Sequence, residues 1–146
     1  MGGMTTPYRP TIHSQADLEG AWRHLIRPLG FHRRSVWLLL IDGDDRPTPV
    51  MTEVTDLPDA PDAEAIDGFG HLLTDLLEHV DPLGRWALLL SRPGAHPTDE
   101  LDRTWAGALY DMVRSRGIRH DTIHLATDDE ISPVPLDDVT GYLQAS

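Results

Sequence analysis

The chain has 146 residues and no cysteine. That length suffices for one domain with its own hydrophobic core. Without cysteine there are no disulfides, thiolate nucleophiles, Cys-ligated zinc, iron–sulfur clusters or H-x-E…P-C-x-x-C deaminase sites. All twelve basic residues are Arg, with Lys and Asn both absent, so neither a Schiff-base lysine nor a phosphate-loop lysine exists; a GC-rich genome accounts for the bias. The net charge of −12 comes from acids spread along the chain, with basic clusters only at Arg33-Arg34 and in 114–119. A nucleic-acid partner is therefore not expected, because phosphate neutralisation needs a positive face. No apolar run reaches the length of a membrane span and no charged-then-apolar segment opens the chain, so the expected setting is the cytoplasm, with no membrane contact.

Residues 1–13, small, polar and proline-punctuated, are expected to be a flexible tail. Gly2 with Thr6 meets the formal myristoylation pattern, as many short Gly-containing starts do. Residues 14–135 read as a single α/β domain. Ser14 opens a first helix as N-cap, with Asp17 three residues on. Leu18, Trp22, Leu25 and Ile26 give that helix one apolar face, and it should end near Arg27, before Pro28 and Gly30. The run 35–41, SVWLLLI, is too short and too apolar for anything but a central strand covered on both faces. After the turn DGDD, the segment 47–54 carries two prolines and belongs at a sheet edge, as the second arm of a hairpin.

Asp62 should cap a second helix with a buried stripe of Ile66, Phe69, Leu73, Leu76 and Val80, stopped by Pro82 and Gly84. Gly68 and Gly70 weaken it by roughly 1 kcal/mol each relative to Ala, a cost that close packing on the sheet would explain. The stretch 86–117 organises the chain: a second apolar strand, a Pro/Gly turn, and a long helix. Thr98 is expected as that helix's N-cap, Asp99 and Glu100 lie in its first turn, Leu101, Trp105, Leu109 and Met112 form its buried face, and Gly117 is its C′ residue. A strand over 122–126 follows, with Ile123 and Leu125 on one side and His124 on the other. A short proline-bearing strand over 131–134 comes next, and 136–146 forms a tail or a last short helix.

The order α, β, β, α, β, α, β, β, with apolar strands inside and proline-bearing strands outside, predicts a three-layer α/β/α domain. Its mixed five-stranded sheet should run 2-1-3-4-5, with the first strand antiparallel to its neighbours. This order resembles the JAB/MPN metal-dependent isopeptidase-like fold, most nearly its bacterial RadC branch, a topology akin to that of cytidine deaminases. The resemblance covers roughly 35–134 and is carried by VWLLLIDGDDRP, by LLLSRPGAHPTDELD, by a helix ending in RGI, and by DTIHLATDDEISPV.

The resemblance implies a zinc site built from H-x-H-P at the strand end, an Asp near the start of the next helix and an upstream Glu. Leu90 and Arg92 stand at the histidine positions, with Pro93 matching the proline. Asp102 is the nearest match to the metal-binding Asp, one residue short in spacing, and the Glu falls near Arg33 or Arg34. One carboxylate does not hold zinc well, so the resemblance implies a degenerate member, a pseudoenzyme without peptidase chemistry.

Two functional readings follow. In the first, a non-catalytic domain without cofactor acts through a protein partner or a homodimer, or through a small anionic ligand at the mouth of the sheet. That ligand would lie on Arg92, Gly94 and Thr98 at the helix amino terminus. In the second, His96, Asp99, Asp102 and His124 form a rearranged metal site for hydrolysis. The pair Asp42 and Asp44 resembles the D-x-D loop of haloacid-dehalogenase phosphatases. Arg46 stands where Thr or Val is expected there, and Asp-Gly between strands is a hairpin signal.

Overall fold

A computed structural model describes residues 10–139; Gly2, Thr6 and the end of the expected last helix lie outside them. The elements are α1 (Gln15–Leu25), β1 (Ser35–Ile41), β2 (Pro47–Val54), α2 (Ala63–Val80), β3 (Arg85–Ser91), α3 (Glu100–Ser115), β4 (Ile123–Ala126) and β5 (Ile131–Val134). The sheet order is β2-β1-β3-β4-β5, as the sequence predicts. β1 is antiparallel to β2 and β3, β3 and β4 are parallel, and β4 and β5 are antiparallel.

Pleating explains the two-sided core. Leu38, Leu40, Trp86, Leu88, Leu90, Ile123 and Leu125 project to the face covered by α2 and α3. The alternate residues Leu39, Ile41, Ala87, Leu89 and Ala126 project to the face covered by α1, where Leu18 and Trp22 meet them. Both sheet edges carry proline, Pro47 and Pro49 in β2 and Pro133 in β5, where the lost amide does least damage. Among the described residues no helix is long and apolar enough to cross a membrane.

Local signals account for most boundaries. Ser14 accepts from the Asp17 amide at 3.1 Å and Asp62 from the Ala65 amide at 2.7 Å, so both expected N-caps form. Gly117, at φ +68°, ends α3 in the left-handed region that favours glycine. Some expectations are corrected. Ile12, assigned to the flexible tail, is 2% exposed and donates its amide to the Asp45 carbonyl at 2.7 Å. Arg85 holds it there: the guanidinium reaches the Ile12 carbonyl, Asp45 and both oxygens of Asp121. Val80 is 47% exposed, outside the buried stripe of α2. Tyr110, unmarked by the sequence, bridges the β4–β5 pair by accepting from the Ile123 amide and donating to the Val134 carbonyl; burial pushes its hydroxyl up to about 12.

The two helical glycines separate. A Cβ on Gly70 would meet the Arg116 side chain, which reaches across from the end of α3 to pair with Asp67, whereas a Cβ on Gly68 would meet nothing. Close packing thus accounts for Gly70, through a helix and not through the sheet. Gly68→Ala should therefore stabilise the protein by about 0.5–1 kcal/mol, with a smaller gain or a loss for Gly70→Ala, measured by urea denaturation.

Candidate functional site

β3 ends at Ser91, and Arg92 continues its ladder by donating its amide to the Ala126 carbonyl at 3.1 Å. The Arg92 side chain then turns towards the start of α3 and is buried, at 8% exposure. Its Nε lies 2.8 and 2.9 Å from the two oxygens of Asp102. Its terminal nitrogens donate to the carbonyls of Pro93, Ala95 and Pro97. All five N–H groups of the guanidinium are therefore engaged inside the turn.

Asp102 is the centre of this arrangement. Its side chain is fully buried and lies 2.7 Å from Arg34 Nη1, contributed by the residue just before β1. It also accepts from the Asp99 amide at 2.9 Å, while Asp99 accepts from the Asp102 amide at 2.8 Å. This reciprocal pair is a capping box, so the N-cap of α3 is Asp99 and not Thr98 as expected. An acid at both positions satisfies two amides, whereas a Thr98 cap would satisfy one. Burial alone would push the Asp102 carboxyl up; the hydrogen bonds from Arg92, the Asp99 amide and Arg34 outweigh it and hold the carboxyl below the usual range.

Arg92, Gly94 and Thr98, expected to take an anion, do share one turn, but the donors of Arg92 and Gly94 face inwards. Gly94, at φ +91°, donates to Asp128 Oδ2 at 2.8 Å and accepts from the Asp128 amide. The Thr98 carbonyl accepts from Arg103. The acidic turn 127–130 thus serves as a clasp. Asp128 also accepts from the Phe31 amide at 3.2 Å, and Asp129 accepts from the His96 amide at 3.3 Å.

The four residues of the alternative metal site are not brought together. His96 lies between Thr127 Oγ1 and Ser132 Oγ, at 2.6 Å from each nitrogen, with Asp129 and Glu130 at 3.5 and 3.6 Å. Asp99 and Asp102 are committed to the helix cap and the arginines. His124 pairs with Leu89 and Pro133 in the sheet and points away from Leu125 and Ser132, towards the α1 face. Among the described residues no group of three or more His, Asp or Glu side chains is placed to hold a metal ion. His124 is completely buried, with Nδ1 at 3.1 Å from the Thr122 carbonyl and Nε2 without a partner. Burial lowers its pKa, and the charge of Arg23 adds to this; the Thr122 hydrogen bond and the charges of Glu19 and Asp121 oppose it.

Sequence reasoning missed a cavity of about 500 Å³ on the opposite flank of β1. Arg27, Phe31, His32 and Arg33 of the α1–β1 loop line it, together with Trp37 of β1 and Glu53 of β2. A signal for it exists: residues 20–41 contain no Asp or Glu but four of the twelve Arg, in a chain of net charge −12. Comparison of the chain with protein-family models, with curated proteins and with solved structures gives no match.

The buried titratable groups Asp102 and His124 give three predictions. Asp102→Ala should cost about 3–5 kcal/mol in urea denaturation, because Arg34 loses its carboxylate partner and the buried Arg92 keeps only that of Asp99, at 3.7 Å. Since the Asp102 pKa is depressed on folding, its contribution is present above the ordinary carboxyl value and is lost as pH falls through the folded value. Asp102→Asn should accordingly flatten the acid limb of the stability profile below about pH 4. His124 is likewise depressed, so its contribution is complete above about pH 6.5 and declines as pH falls through the folded value. His124→Leu should lose less stability than the parent chain between about pH 7 and pH 5, followed by thermal melts.

Proposed function

We propose that the protein is a non-catalytic α/β binding domain, a degenerate relative of the JAB/MPN-like RadC branch. In it, guanidinium groups stand where that family holds a metal. One observation carries the reading: the buried carboxylate of Asp102 is neutralised by Arg34 and Arg92. These residues fall where the resemblance puts the Asp ligand, the upstream Glu and the second His. A guanidinium fork meets a carboxylate through fixed, directional hydrogen bonds, so the charge a cation would balance is already balanced by the chain. The donor set does not fit zinc. Leu90 offers no ligand, Arg92 offers a positive charge, and both oxygens of the single carboxylate are occupied.

The proposed setting is the cytoplasm, which suits a chain without cysteine. The acidic surface argues against nucleic acid as partner, and a protein partner or a second copy fits the binding role. An anion-binding role at Arg92 loses its support, since the donors there are engaged, and the binding surface is better sought at the cavity beside Trp37.

Protein purified without a metal-binding tag should carry only substoichiometric zinc and manganese by elemental analysis, and added zinc should leave its melting temperature unchanged. Stoichiometric metal that disappears in the Asp102→Asn variant would sink the reading and restore a metal-dependent hydrolase.

A further inference from the structure

We infer that the cavity between the α1–β1 loop and β2 binds a small zwitterion with a flat apolar body, the chemistry of a free aromatic α-amino acid. The inference rests on the reading of the domain as a binder and names its ligand class. The cavity volume of about 500 Å³ lies within the usual span of small-molecule sites. Its floor is a tryptophan set apart from the others: Trp22, Trp86 and Trp105 are completely buried, while Trp37 is half-buried and lines the cavity. The Trp37 indole N–H donates to Ser91 Oγ at 2.9 Å, so the ring is oriented before any ligand arrives, which lowers the ordering cost of binding. Phe31 adds a second aromatic surface, and its amide is held by Asp128. Two such rings favour a flat partner in offset or edge-on contact.

The charges on the lining select among flat ligands. Arg33 is neutralised by Asp56. Arg27 and Glu53 are different: among the described residues neither side chain makes an ion pair or a hydrogen bond, with the other or with any other group. Glu53 stands directly opposite Trp37 in the β1–β2 register, so its carboxylate flanks the indole, while Arg27 comes from the loop after α1. A simple anion gains from Arg27 but is repelled by Glu53, and a simple cation meets the reverse. A molecule carrying both an ammonium and a carboxylate on an apolar ring satisfies both side chains and covers the indole. Because both charges reach solvent, the affinity is modest and weakens with salt.

The test uses the full chain and three probes: L-phenylalanine, 3-phenylpropanoate, which lacks the ammonium, and phenethylamine, which lacks the carboxylate. Phenylalanine does not absorb where tryptophan is selectively excited, so the change in Trp37 emission reports its binding, and calorimetry gives all three affinities. L-Phenylalanine should bind about tenfold more tightly than either truncated probe, the cost of one charge-assisted hydrogen bond. Arg27→Gln should weaken phenylalanine and phenylpropanoate about tenfold while leaving phenethylamine no weaker, or tighter through the lost repulsion, and Glu53→Gln should do the converse. Trp37→Phe should abolish the emission change. Both charged residues are exposed, so the variants should fold, which circular dichroism checks.

The inference is overturned by the absence of saturable phenylalanine binding, by equal affinity for the three probes, or by variants that leave the affinities unchanged. Any of these with no metal bound removes the ligand assignment alone. Stoichiometric metal removes the binding-domain reading whatever the titration gives.

Discussion

A carboxylate removed from water must be met by charge and by hydrogen bonds, and the burial of Asp102 imposes that requirement on three parts of the chain at once. Arg34 enters from the start of β1, Arg92 from the end of β3, and the Asp99 amide from the first turn of α3. Such a cluster adds little net stability over a well-packed apolar one, because desolvation offsets the attraction between its charges. Its effect is positional. Moving any of the three elements strands a charge in the interior, so the turn from β3 into α3 is held in one arrangement.

Arg92 also gathers the carbonyls of Pro93, Ala95 and Pro97 around itself, closing the turn where an open α/β sheet ordinarily offers its crevice. The side chains there that look reactive in the sequence are used in fastening. His96 ties the turn to the β4–β5 hairpin, and Asp128 ties the same hairpin to the Gly94 and Phe31 amides. A cavity of about 470 Å³ lies between Arg34, Leu101 and the loop after β2, and open space lies beside Trp37, against the α1–β1 loop and β2. Because Asp128 bonds both amides, the sealed turn and the cavity wall share one carboxylate as their anchor.

The fold was legible because hydrophobic pattern and proline placement constrain it strongly. SVWLLLI and WALLL are too continuously apolar for a sheet edge, and the prolines of β2 and β5 exclude those strands from the interior. The site was far less legible, since a sequence displays charge but not burial. Arg92 reads as a ligand-facing cation at the mouth of the sheet and is an interior one, and Asp102 reads as a metal-ligand candidate and is a buried cap acid held by two arginines. The cap shifted by one residue, from Thr98 to Asp99, because reciprocity between Asp99 and Asp102 depends on backbone angles that residue identity does not specify. The cavity escaped notice because its lining comes from a loop and two strands that only the hairpin register brings together, although the acid-free run over 20–41 pointed to it.

The edge prolines have a consequence for association. A strand added to a sheet needs a continuous row of free amides and carbonyls, and Pro47, Pro49 and Pro133 interrupt that row on both sides. β5 is also only four residues long, too short to template a lasting ladder. The sheet is thereby insulated from edge-to-edge growth, which protects a concentrated protein from aggregating through its own strands. Any pairing with another chain would then fall to side chains on helices and loops, where specificity can be written residue by residue.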